Sequence, residues 1–412
     1  MNVAIFTNTY APYVNGVANC VQAYRAGLSD AGHDVVIFAP WPLDRDISED
    51  DPRMVRFPAV PAPGDYDYSL AVPFAPKVVR ALKNATFNVV HTQHPVWVGA
   101  WGAWYARWAE LPLVTTIHTQ YELFSHLIPL PEPLVDMYLR MQVTRYCNKC
   151  HVVTTPAASA RERLLQQGVT TPIEVIPNPI DIRRFADVDP KPVRQALGID
   201  ADEIVLGYIG RLAPEKNIEF SLGAIAMVMR KFARVRCVMV GGGVQLEPLQ
   251  EQATKLGIAD RTIFTGEVGH DCIADYQAAL DVYVTASLSE GQPMAYTEAL
   301  AAGTPLVALR APGATDMVLD GENGVLVDRE RGEEGMAEEL ARIVDDSAYL
   351  AQLSAGARKS AQRYDLATVT EQFVHVYALA AQRAQEADED DTPDVEGPPA
   401  KPKRQRGKAK ER

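Results

Sequence analysis

Short apolar runs alternate with longer amphipathic stretches along most of the chain, and this alternation limits the possible folds more than any other feature. Runs that are apolar on both faces are typical of strands that helices cover on both sides of a parallel sheet. The predicted strands span residues 2–6, 34–38, 88–91, 113–117, 151–154 and 173–176, and then 204–209, 236–240, 263–264, 282–285, 306–308 and 324–327. The predicted helices include residues 17–31, 217–232, 247–256 and 294–302. The sequence therefore predicts an α/β fold built on parallel sheets.

The alternation restarts after a turn-rich break, Val175-Ile176-Pro177-Asn178-Pro179-Ile180-Asp181, which predicts two domains. A chain of 412 residues is also too long for one ordinary hydrophobic core. We expect doubly wound domains over residues 1–180 and 181–366, facing each other across a cleft. Ligands of such sheets bind beyond the carboxyl ends of the strands. Residues 385–412 are first acidic and then basic, and we expect them to be a disordered tail.

Charge and hydropathy exclude several functions. The formal net charge is −13, and a strongly acidic chain is a poor general binder of nucleic acid, because phosphate contacts dominate that affinity. No stretch has the roughly 18–20 apolar residues that a membrane-spanning helix needs. The first residues are better explained as a buried strand than as a signal peptide. We therefore expect a cytoplasmic protein that binds no nucleic acid and whose five cysteines are reduced.

One pattern, Cys147-Asn-Lys-Cys150-His151, matches a c-type haem attachment motif. Haem attachment normally requires export, for which the sequence shows no signal, and such short motifs arise by chance. We interpret the pattern as a helix end that leads into a buried strand, and we expect no cofactor.

The strongest local signal is Glu290-Gly-Gln-Pro-Met-Ala-Tyr-Thr-Glu298, which follows a predicted strand and opens a predicted helix. Unpaired backbone N–H groups and the helix dipole favour a phosphate at such a helix N-terminus. Met294 and Ala295 would supply the N–H groups. The carboxylates of Glu290 and Glu298 would instead accept hydrogen bonds from sugar hydroxyls. The alternative is an ordinary pair of acidic residues near a helix start.

A second signal, Gly210-Arg-Leu-Ala-Pro-Glu-Lys-Asn217, also lies between a predicted strand and a predicted helix. Arg211 and Lys216 would reach the same edge of the sheet as Glu290, where two cations can neutralise a leaving diphosphate. A surface cation pair is the alternative. Each motif alone is a weak signal, but the two at equivalent strand ends of one domain indicate a nucleotide-diphosphate site.

Together, the GRL-x-x-E-K and E-x7-E elements resemble those of the retaining GT-B glycosyltransferases of group 1, a family that includes bacterial glycolipid mannosyl- and glucosyltransferases and sucrose synthase. The resemblance covers about residues 1–380. It implies two Rossmann-like domains, of which the carboxyl-terminal one binds the nucleotide sugar. It also implies a helix over about residues 367–384 that crosses back onto the first domain.

The resemblance also implies roles for individual residues of the second domain. Arg211 and Lys216 would hold the diphosphate. Glu290 would contact hydroxyls of the transferred sugar, and Glu298 those of the ribose. Val268, after Phe-Thr-Gly, would contact the base through its backbone.

In the first domain, His118 matches the family's strand-end histidine, which lies beside the transferred sugar. A core imidazole with satisfied hydrogen bonds is the alternative, although ligands of this fold bind at strand ends. Gly16 matches one position of a Gly-Gly loop that lets the backbone approach the phosphate, and Asn15 replaces the other glycine.

The chain also departs from the family. The family often shows Asp before a His-x-His element, whereas this chain has Asn88-Val-Val-His91-Thr-Gln-His94, so neither histidine receives a role. No Asp-x-Asp pair lies in a cleft loop, and we therefore expect Arg and Lys, rather than Mg²⁺, to neutralise the diphosphate. The resemblance implies a retaining reaction, and the sequence assigns no carboxylate as nucleophile.

The acceptor is indicated by the segment that runs from His118 to Pro129, which resembles diacylglycerol glucosyltransferases and related glycolipid-forming enzymes. Tyr121, Glu122 and His126 would then border the acceptor. We expect UDP-glucose as donor, a lipid such as diacylglycerol as acceptor, and a peripheral position on the inner face of the cell membrane. The alternatives are GDP-mannose or another donor with a polysaccharide or soluble acceptor, and a non-catalytic protein that binds nucleotide sugars.

Two helical patterns are consistent with an anionic membrane surface as a partner. Residues 74–84 place Phe74, Val78 and Leu82 near one face, with basic side chains beside them. An ordinary solvated helix is the alternative. A second pattern is a stripe of tryptophans at helical spacing, for which we favour core packing: Trp97, Trp101, Trp104 and Trp108. The basic end of the tail could also contact anionic lipid, although a solubilising tail is the favoured interpretation.

Overall fold

A parallel sheet of seven strands organises the first domain. The structure, a computed structural model, describes residues 1–13, 15–43, 51, 53–61, 69–72, 75–118, 131–288 and 290–390. In chain order the strands of this domain are β1 (Asn2–Phe6), β2 (Asp34–Pro40), β3 (Met54–Phe57), β4 (Ala59–Pro61), β5 (Ser69–Ala71), β6 (Val89–Thr92), β7 (Leu113–Thr116), β8 (Val152–Thr155) and β9 (Ile173–Val175). The order across the sheet is β3-β2-β1-β6-β7-β8-β9, while β4 and β5 form a separate antiparallel hairpin.

Helices cover both faces of this sheet. They are α1 (Gly16–Asp30), α2 (Pro76–Asn84), α3 (Val98–Trp108), α4 (Glu132–Cys147) and α5 (Ala158–Gln166). Buried residues of α1 pack on one face, whereas those of α2, α3, α4 and α5 share a core on the other. This arrangement leaves the carboxyl ends of the strands open for ligands.

The second domain repeats the architecture with six parallel strands. They are β10 (Ile204–Ile209), β11 (Val235–Val240), β12 (Thr262–Gly266), β13 (Val282–Thr285), β14 (Leu306–Leu309) and β15 (Gly324–Val327), in the sheet order β12-β11-β10-β13-β14-β15. Its helices are α6 (Arg183–Ala186), α7 (Lys191–Ala196), α8 (Ile218–Lys231), α9 (Leu246–Leu256), α10 (Ile273–Ala279), α11 (Met294–Ala302), α12 (Ala314–Met317), α13 (Gly332–Asp345) and α14 (Ser347–Ala361). The predicted fold of two doubly wound α/β domains is confirmed.

The last helix, α15 (Leu366–Asp390), returns to the first domain. Its buried side, which includes Phe373 and Tyr377, shares a core with α1 and the first sheet. The Tyr377 hydroxyl lies 2.9 Å from Nδ1 of His91, whose Nε2 lies 2.7 Å from the Thr116 hydroxyl. These bonds give His91 a structural role. The helix extends beyond the predicted end at residue 384, and residues 391–412 of the predicted tail lie outside the described residues.

The tryptophan stripe does not pack in the core, so that interpretation is wrong for three of its four members. Trp97, Trp104 and Trp108 are each about half exposed, and only Trp101 packs against the core. The reason is that glycine lets α3 approach the sheet closely. A Cβ on Gly102 would lie 2.7 Å from the Thr92 side chain and 2.8 Å from the Phe6 ring. The buried side of α3 therefore includes Gly99 and Gly102, and three of the four indoles face outward.

Helix α2 also differs from the membrane-binding interpretation. Its apolar residues Val78 and Leu82 are fully buried in the core, so no apolar face remains on this helix for a lipid surface. Phe74 lies outside the described residues. What α2 exposes is its basic side, and the hypothesis of docking through an amphipathic α2 is therefore corrected.

The Cys-x-x-Cys-His pattern has the structure predicted for it. Helix α4 ends at Cys147, and β8 begins at Val152. Cys147 and Cys150 are buried free thiols, and burial raises the pKa of both. Neither thiol is exposed for attachment of a group.

Candidate active site

A cavity of about 370 Å³ opens beyond the carboxyl ends of β10 and β11. Four of the predicted donor-site residues line it: Arg211, Val268, Ala295 and Glu298. Asn19 of α1 adds a wall from the first domain. The ends of β10 and β11 can lie close together here because Gly241 has no side chain. A Cβ added to Gly241 would fall 2.0 Å from the carbonyl oxygen of Gly210. The cavity therefore has the position that this fold gives to nucleotides.

Lys216 and Glu290 meet beside this cavity. Lys216 Nζ donates a hydrogen bond to Glu290 Oε1 at 2.6 Å, and the Ser287 hydroxyl donates to the same oxygen at 2.9 Å. Asn217, in the left-handed region with φ of 51°, donates to the Ala286 carbonyl at 3.1 Å and so ties the loop after β10 to the loop after β13. The cation and the carboxylate are partly buried, and each neutralises the other.

Arg211 occupies the rim of the cavity. Its guanidinium pairs with Glu215 at 2.5 Å, and its side chain is 70% exposed. An exposed ion pair of this kind contributes about 1 kcal/mol or less. Little free energy therefore opposes a turn of Arg211 toward a diphosphate in the cavity.

Helix α11 begins where the sequence predicted, and it directs its N-terminus at the site. Among the described residues no side chain caps this helix, whose first residues are Met294 and Ala295. Its Glu298 is half-buried, and burial raises the pKa of that carboxyl to about 7, although a Gln277 hydrogen bond and the charge of Arg184 act in the opposite direction. Glu298 is therefore a mixture of protonated and ionised forms near neutral pH.

The loop that carries Glu290 is held from behind by Gly313. Gly313 has φ of 87°, and a Cβ added to it would lie 2.6 Å from the Glu290 Cβ. The Glu290 N–H donates to the Pro312 carbonyl at 3.2 Å. Asp316 accepts from the Gly313 N–H at 3.2 Å and from the Ser159 hydroxyl of the first domain at 2.6 Å. The position of Glu290 thus depends on a close backbone approach at Gly313.

The same loop also contacts the first domain across the cleft. The Gln292 side chain accepts from the Asn178 N–H at 2.6 Å and donates to the Asn178 carbonyl at 3.2 Å. A Cβ on Gly291 would lie 3.4 Å from the His118 carbonyl oxygen. Sequence reasoning assigned no role to Gln292, although its place inside the Glu290 motif was a usable signal. These contacts bring Glu290 and His118 to opposite sides of one cleft.

His118 is held by Gln93, a residue that sequence reasoning did not assign. The distance between His118 Nε2 and Gln93 Oε1 is 2.7 Å. Because an amide oxygen only accepts, Nε2 carries the proton and Nδ1 keeps its lone pair. Burial, with smaller contributions from His94 and His91, lowers the pKa of His118 to about 3. The imidazole is therefore neutral at physiological pH.

Gln93 is fully buried, and among the described residues its Nε2 has no hydrogen-bond partner. Its neighbour His94 accepts the Asn8 N–H on Nδ1 at 3.2 Å. The departure from the His-x-His pattern therefore marks the residue that fixes the tautomer of His118.

The remaining predicted site residues either have no contact with this site in the structure or lie outside the described residues. Gly16 begins α1 with open space around it, and the Asn15 side chain caps that helix by accepting from the Ala18 N–H at 2.9 Å. Tyr121, Glu122 and His126 lie outside the described residues. Within the described part of the chain, no group of three or more His, Cys, Asp or Glu side chains is arranged to hold a metal ion.

Two family models match the chain. The model of glycosyltransferase family 4 covers residues 14–184, and that of glycosyl transferases group 1 covers residues 190–360. The chain is 32% identical over 332 residues to alpha-monoglucosyldiacylglycerol synthase of Streptococcus pneumoniae, a match that covers 79% of this chain and 75% of that protein. The chain belongs to the group 1 glycosyltransferases. This glycosyltransferase is thus an enzyme, and the predicted family is confirmed.

Other comparisons broaden the range of substrates among relatives. The glycosyltransferase is 28% identical over 356 residues to GDP-mannose-dependent alpha-mannosyltransferase of Corynebacterium glutamicum, which covers 84% of this chain and 81% of that one. The crystal structure of Anabaena HepE in complex with UDP superposes with a TM-score of 0.72 at 21% identity, covering 92% of this chain and 100% of that chain. This likeness establishes the GT-B fold.

Proposed function

We propose that this glycosyltransferase moves glucose from UDP-glucose to a lipid such as diacylglycerol, with retention of configuration and without a metal ion, at the inner face of the cell membrane. The observation that carries the proposal is the similarity to the glucosyldiacylglycerol synthase of S. pneumoniae over most of both chains. Among the described helices, none is long and apolar enough to cross a bilayer. A lipid acceptor would therefore meet the described part of the enzyme at a membrane surface.

In this proposal the cavity holds the nucleotide. The base lies beside Val268, the ribose hydroxyls donate to the Glu298 carboxylate, and the diphosphate faces the N-terminus of α11. Lys216 then exchanges its bond to Glu290 for one to a phosphate oxygen. That exchange leaves a Glu290 oxygen for a hydroxyl of the transferred sugar.

The sugar would lie between Glu290 and His118. As the bond between the anomeric carbon and the phosphate oxygen breaks, negative charge grows on the diphosphate, where Lys216 and Arg211 stabilise it. The acceptor hydroxyl attacks from the same face, and its proton passes to the leaving phosphate. Neutral His118 provides polarity beside the sugar without adding a charge that would oppose an electron-poor anomeric carbon.

A second candidate donor and acceptor follow from another relative. The similarity to a GDP-mannose-dependent mannosyltransferase favours transfer of mannose from GDP-mannose to a different acceptor. The residues around the cavity contact phosphate and ribose in either proposal, so donor choice depends on the base and sugar contacts.

Product formation distinguishes these candidates. The purified enzyme is incubated with anionic vesicles that contain diacylglycerol, in three separate reactions that each contain one donor: UDP-glucose, UDP-galactose or GDP-mannose. We expect a glycolipid with UDP-glucose alone. Release of the nucleotide without formation of a glycolipid would rule out diacylglycerol as the acceptor. A glycolipid formed only with GDP-mannose would identify GDP-mannose, instead of UDP-glucose, as the donor.

The raised pKa of Glu298 predicts pH-dependent binding of UDP. The ionised carboxylate accepts two ribose hydroxyls, whereas the protonated form loses acceptor capacity. Since the pKa is about 7, the affinity for UDP should rise with pH through neutrality, by on the order of tenfold between about pH 6 and pH 8. Calorimetric titration checks this. Glu298→Gln removes the titrating group but not the titration of UDP itself, so equal pH profiles for both proteins would contradict the ribose assignment.

A further inference from the structure

The outer sides of α3 and α4 expose a concentration of large apolar side chains. Seven of the sixteen large hydrophobic residues that the described part of the chain exposes lie on or beside these two helices: Trp97, Trp104, Trp108, Leu134, Met137, Tyr138 and Met141. The four on α4 recur at helical spacing and therefore share one face. Soluble proteins seldom leave so contiguous an apolar surface without a partner.

Hydrogen bonds show that α2, α3 and α4 lie side by side on one face of the sheet. The Tyr105 hydroxyl of α3 donates to the Leu82 carbonyl of α2 at 3.1 Å. The Tyr146 hydroxyl of α4 donates to the Gly99 carbonyl of α3 at 3.0 Å. The three helices also share one core. Their outer sides form a single surface, the α2–α4 face.

The charge of this face is opposite to that of the whole chain. Six basic residues and two acidic ones lie on the three helices, a net charge of +4 in a chain of −13: Lys77, Arg80, Lys83, Arg107, Arg140 and Arg145 against Glu132 and Asp136. None of the six cations forms an ion pair with another described residue. Unpaired cations beside indole and aliphatic side chains complement anionic headgroups above acyl chains.

The α2–α4 face reaches the rim of the cleft. Helices α3 and α4 follow β6 and β7, so each begins at the edge of the sheet where the strands end. Trp97 and Leu134 mark those helix starts, and His118 follows β7 at the same edge. A surface bound to this face would therefore adjoin the side of the cleft where a lipid acceptor enters.

We propose that the α2–α4 face binds an anionic lipid bilayer, with the α4 side chains inserted among the acyl chains and the indoles at headgroup depth. The proposal deepens the proposed function, on which it rests for the identity of the acceptor. It replaces docking through α2 alone, because the apolar residues of α2 are buried. A second copy of the chain is the competing occupant.

Vesicle sedimentation tests the face with the full chain and with vesicles that lack diacylglycerol. Met137→Glu combined with Met141→Glu should weaken partition onto phosphatidylglycerol vesicles by about tenfold or more, because two charges replace inserted side chains. Val244→Glu combined with Leu319→Glu changes two exposed apolar residues of the second domain by the same charge, and this control should bind like the parent. Lys77→Glu with Arg80→Glu should reduce the preference for phosphatidylglycerol over phosphatidylcholine vesicles.

Several results would overturn the proposal. The parent could remain in the supernatant with anionic vesicles, or the Met137 and Met141 variant could bind as well as its control. A parent dimer that this variant converts to a monomer, with unchanged vesicle binding, would assign the face to contact between copies.

The same variants separate this proposal from the proposed function. With short-chain diacylglycerol in detergent micelles, the Met137 and Met141 variant should match the parent rate, while its rate on vesicles falls in parallel with binding. A parent that binds vesicles through this face but glycosylates no lipid would retain the docking surface and remove the acceptor. Glycosylation of diacylglycerol in micelles by a parent that does not bind vesicles would retain the acceptor and remove the docking surface.

Discussion

Replacement of Lys216 by Ala should lower kcat by on the order of a hundredfold or more, because the lost ammonium would stabilise the charge that grows on the leaving diphosphate. In the structure the same ammonium donates a hydrogen bond to the Glu290 carboxylate at 2.6 Å and neutralises it. The substitution therefore also leaves the partly buried Glu290 carboxylate without its cation. The unpaired carboxylate would repel an incoming diphosphate. The rate of sugar transfer under saturating donor measures the first effect, and titration with UDP measures the second.

Two further variants isolate the charge of Lys216. Lys216→Met keeps most of the side-chain volume and should lose as much activity as Lys216→Ala. Lys255→Ala breaks an exposed ion pair with Glu251 in the same domain, at an N–O distance of 3.4 Å, and should keep the parent rate. Circular dichroism of each variant confirms folding. Parent turnover in well-folded Lys216→Met would remove the lysine from the diphosphate site.

The sequence predicted that Lys216 and the Glu290 loop lie at the same edge of the sheet because of a property of parallel sheets. The two residues are 74 positions apart, yet β10 and β13 are adjacent in the sheet and end at the same edge. Any two loops that follow adjacent parallel strands meet in this way. The position of each motif directly after a predicted strand was sufficient for this prediction, whereas the ion pair and the bond from Ser287 required the structure.

Strand prediction missed three short strands of the first domain, namely β3, β4 and β5. All twelve predicted strands are present, with ends that differ by up to two residues. The missed strand β3 is an edge strand that is mostly half-exposed and has Arg56 in its middle. Its pattern therefore lacks the continuous apolar run on which the prediction relied.

The exposed tryptophans show a limit of periodicity as a signal. A helical stripe of large apolar residues identifies one face of α3 but does not say that this face is the buried one. The opposite side contains Gly99 and Gly102, whose lack of a side chain permits closer contact with the sheet. Glycine contributes almost nothing to a hydrophobic pattern, so the pattern predicted that the tryptophan side of α3, rather than the glycine side, is buried. The pairing of Gln93 with His118 was missed although both follow adjacent strands, because Gln93 was treated only as a departure from the His-x-His pattern.

Gly313→Ala should lower turnover by about a hundredfold, because misplacement of a reacting group by about 1 Å has effects of that size. The new Cβ would lie 2.6 Å from the Cβ and 2.9 Å from the carbonyl oxygen of Glu290. Contacts this short force the Glu290 loop to move toward the cavity. The Lys216 bond to Glu290 and the approach of Gly291 to His118 would change together.

Gly321→Ala is the matched control, because Gly321 also has a positive φ, of 76°, but has nothing within 4 Å of its added Cβ. Alanine at a positive φ costs on the order of 1–3 kcal/mol, and Gly313 has ψ of −51°, outside the left-handed helical region. Thermal unfolding should therefore show strain in both proteins, with any excess loss in Gly313→Ala due to this backbone conformation and to the clash. Turnover is measured below both melting temperatures, and only Gly313→Ala should be impaired. Equal turnover in the two variants would mean that Glu290 tolerates displacement, and its proposed contact with the transferred sugar would then be untenable.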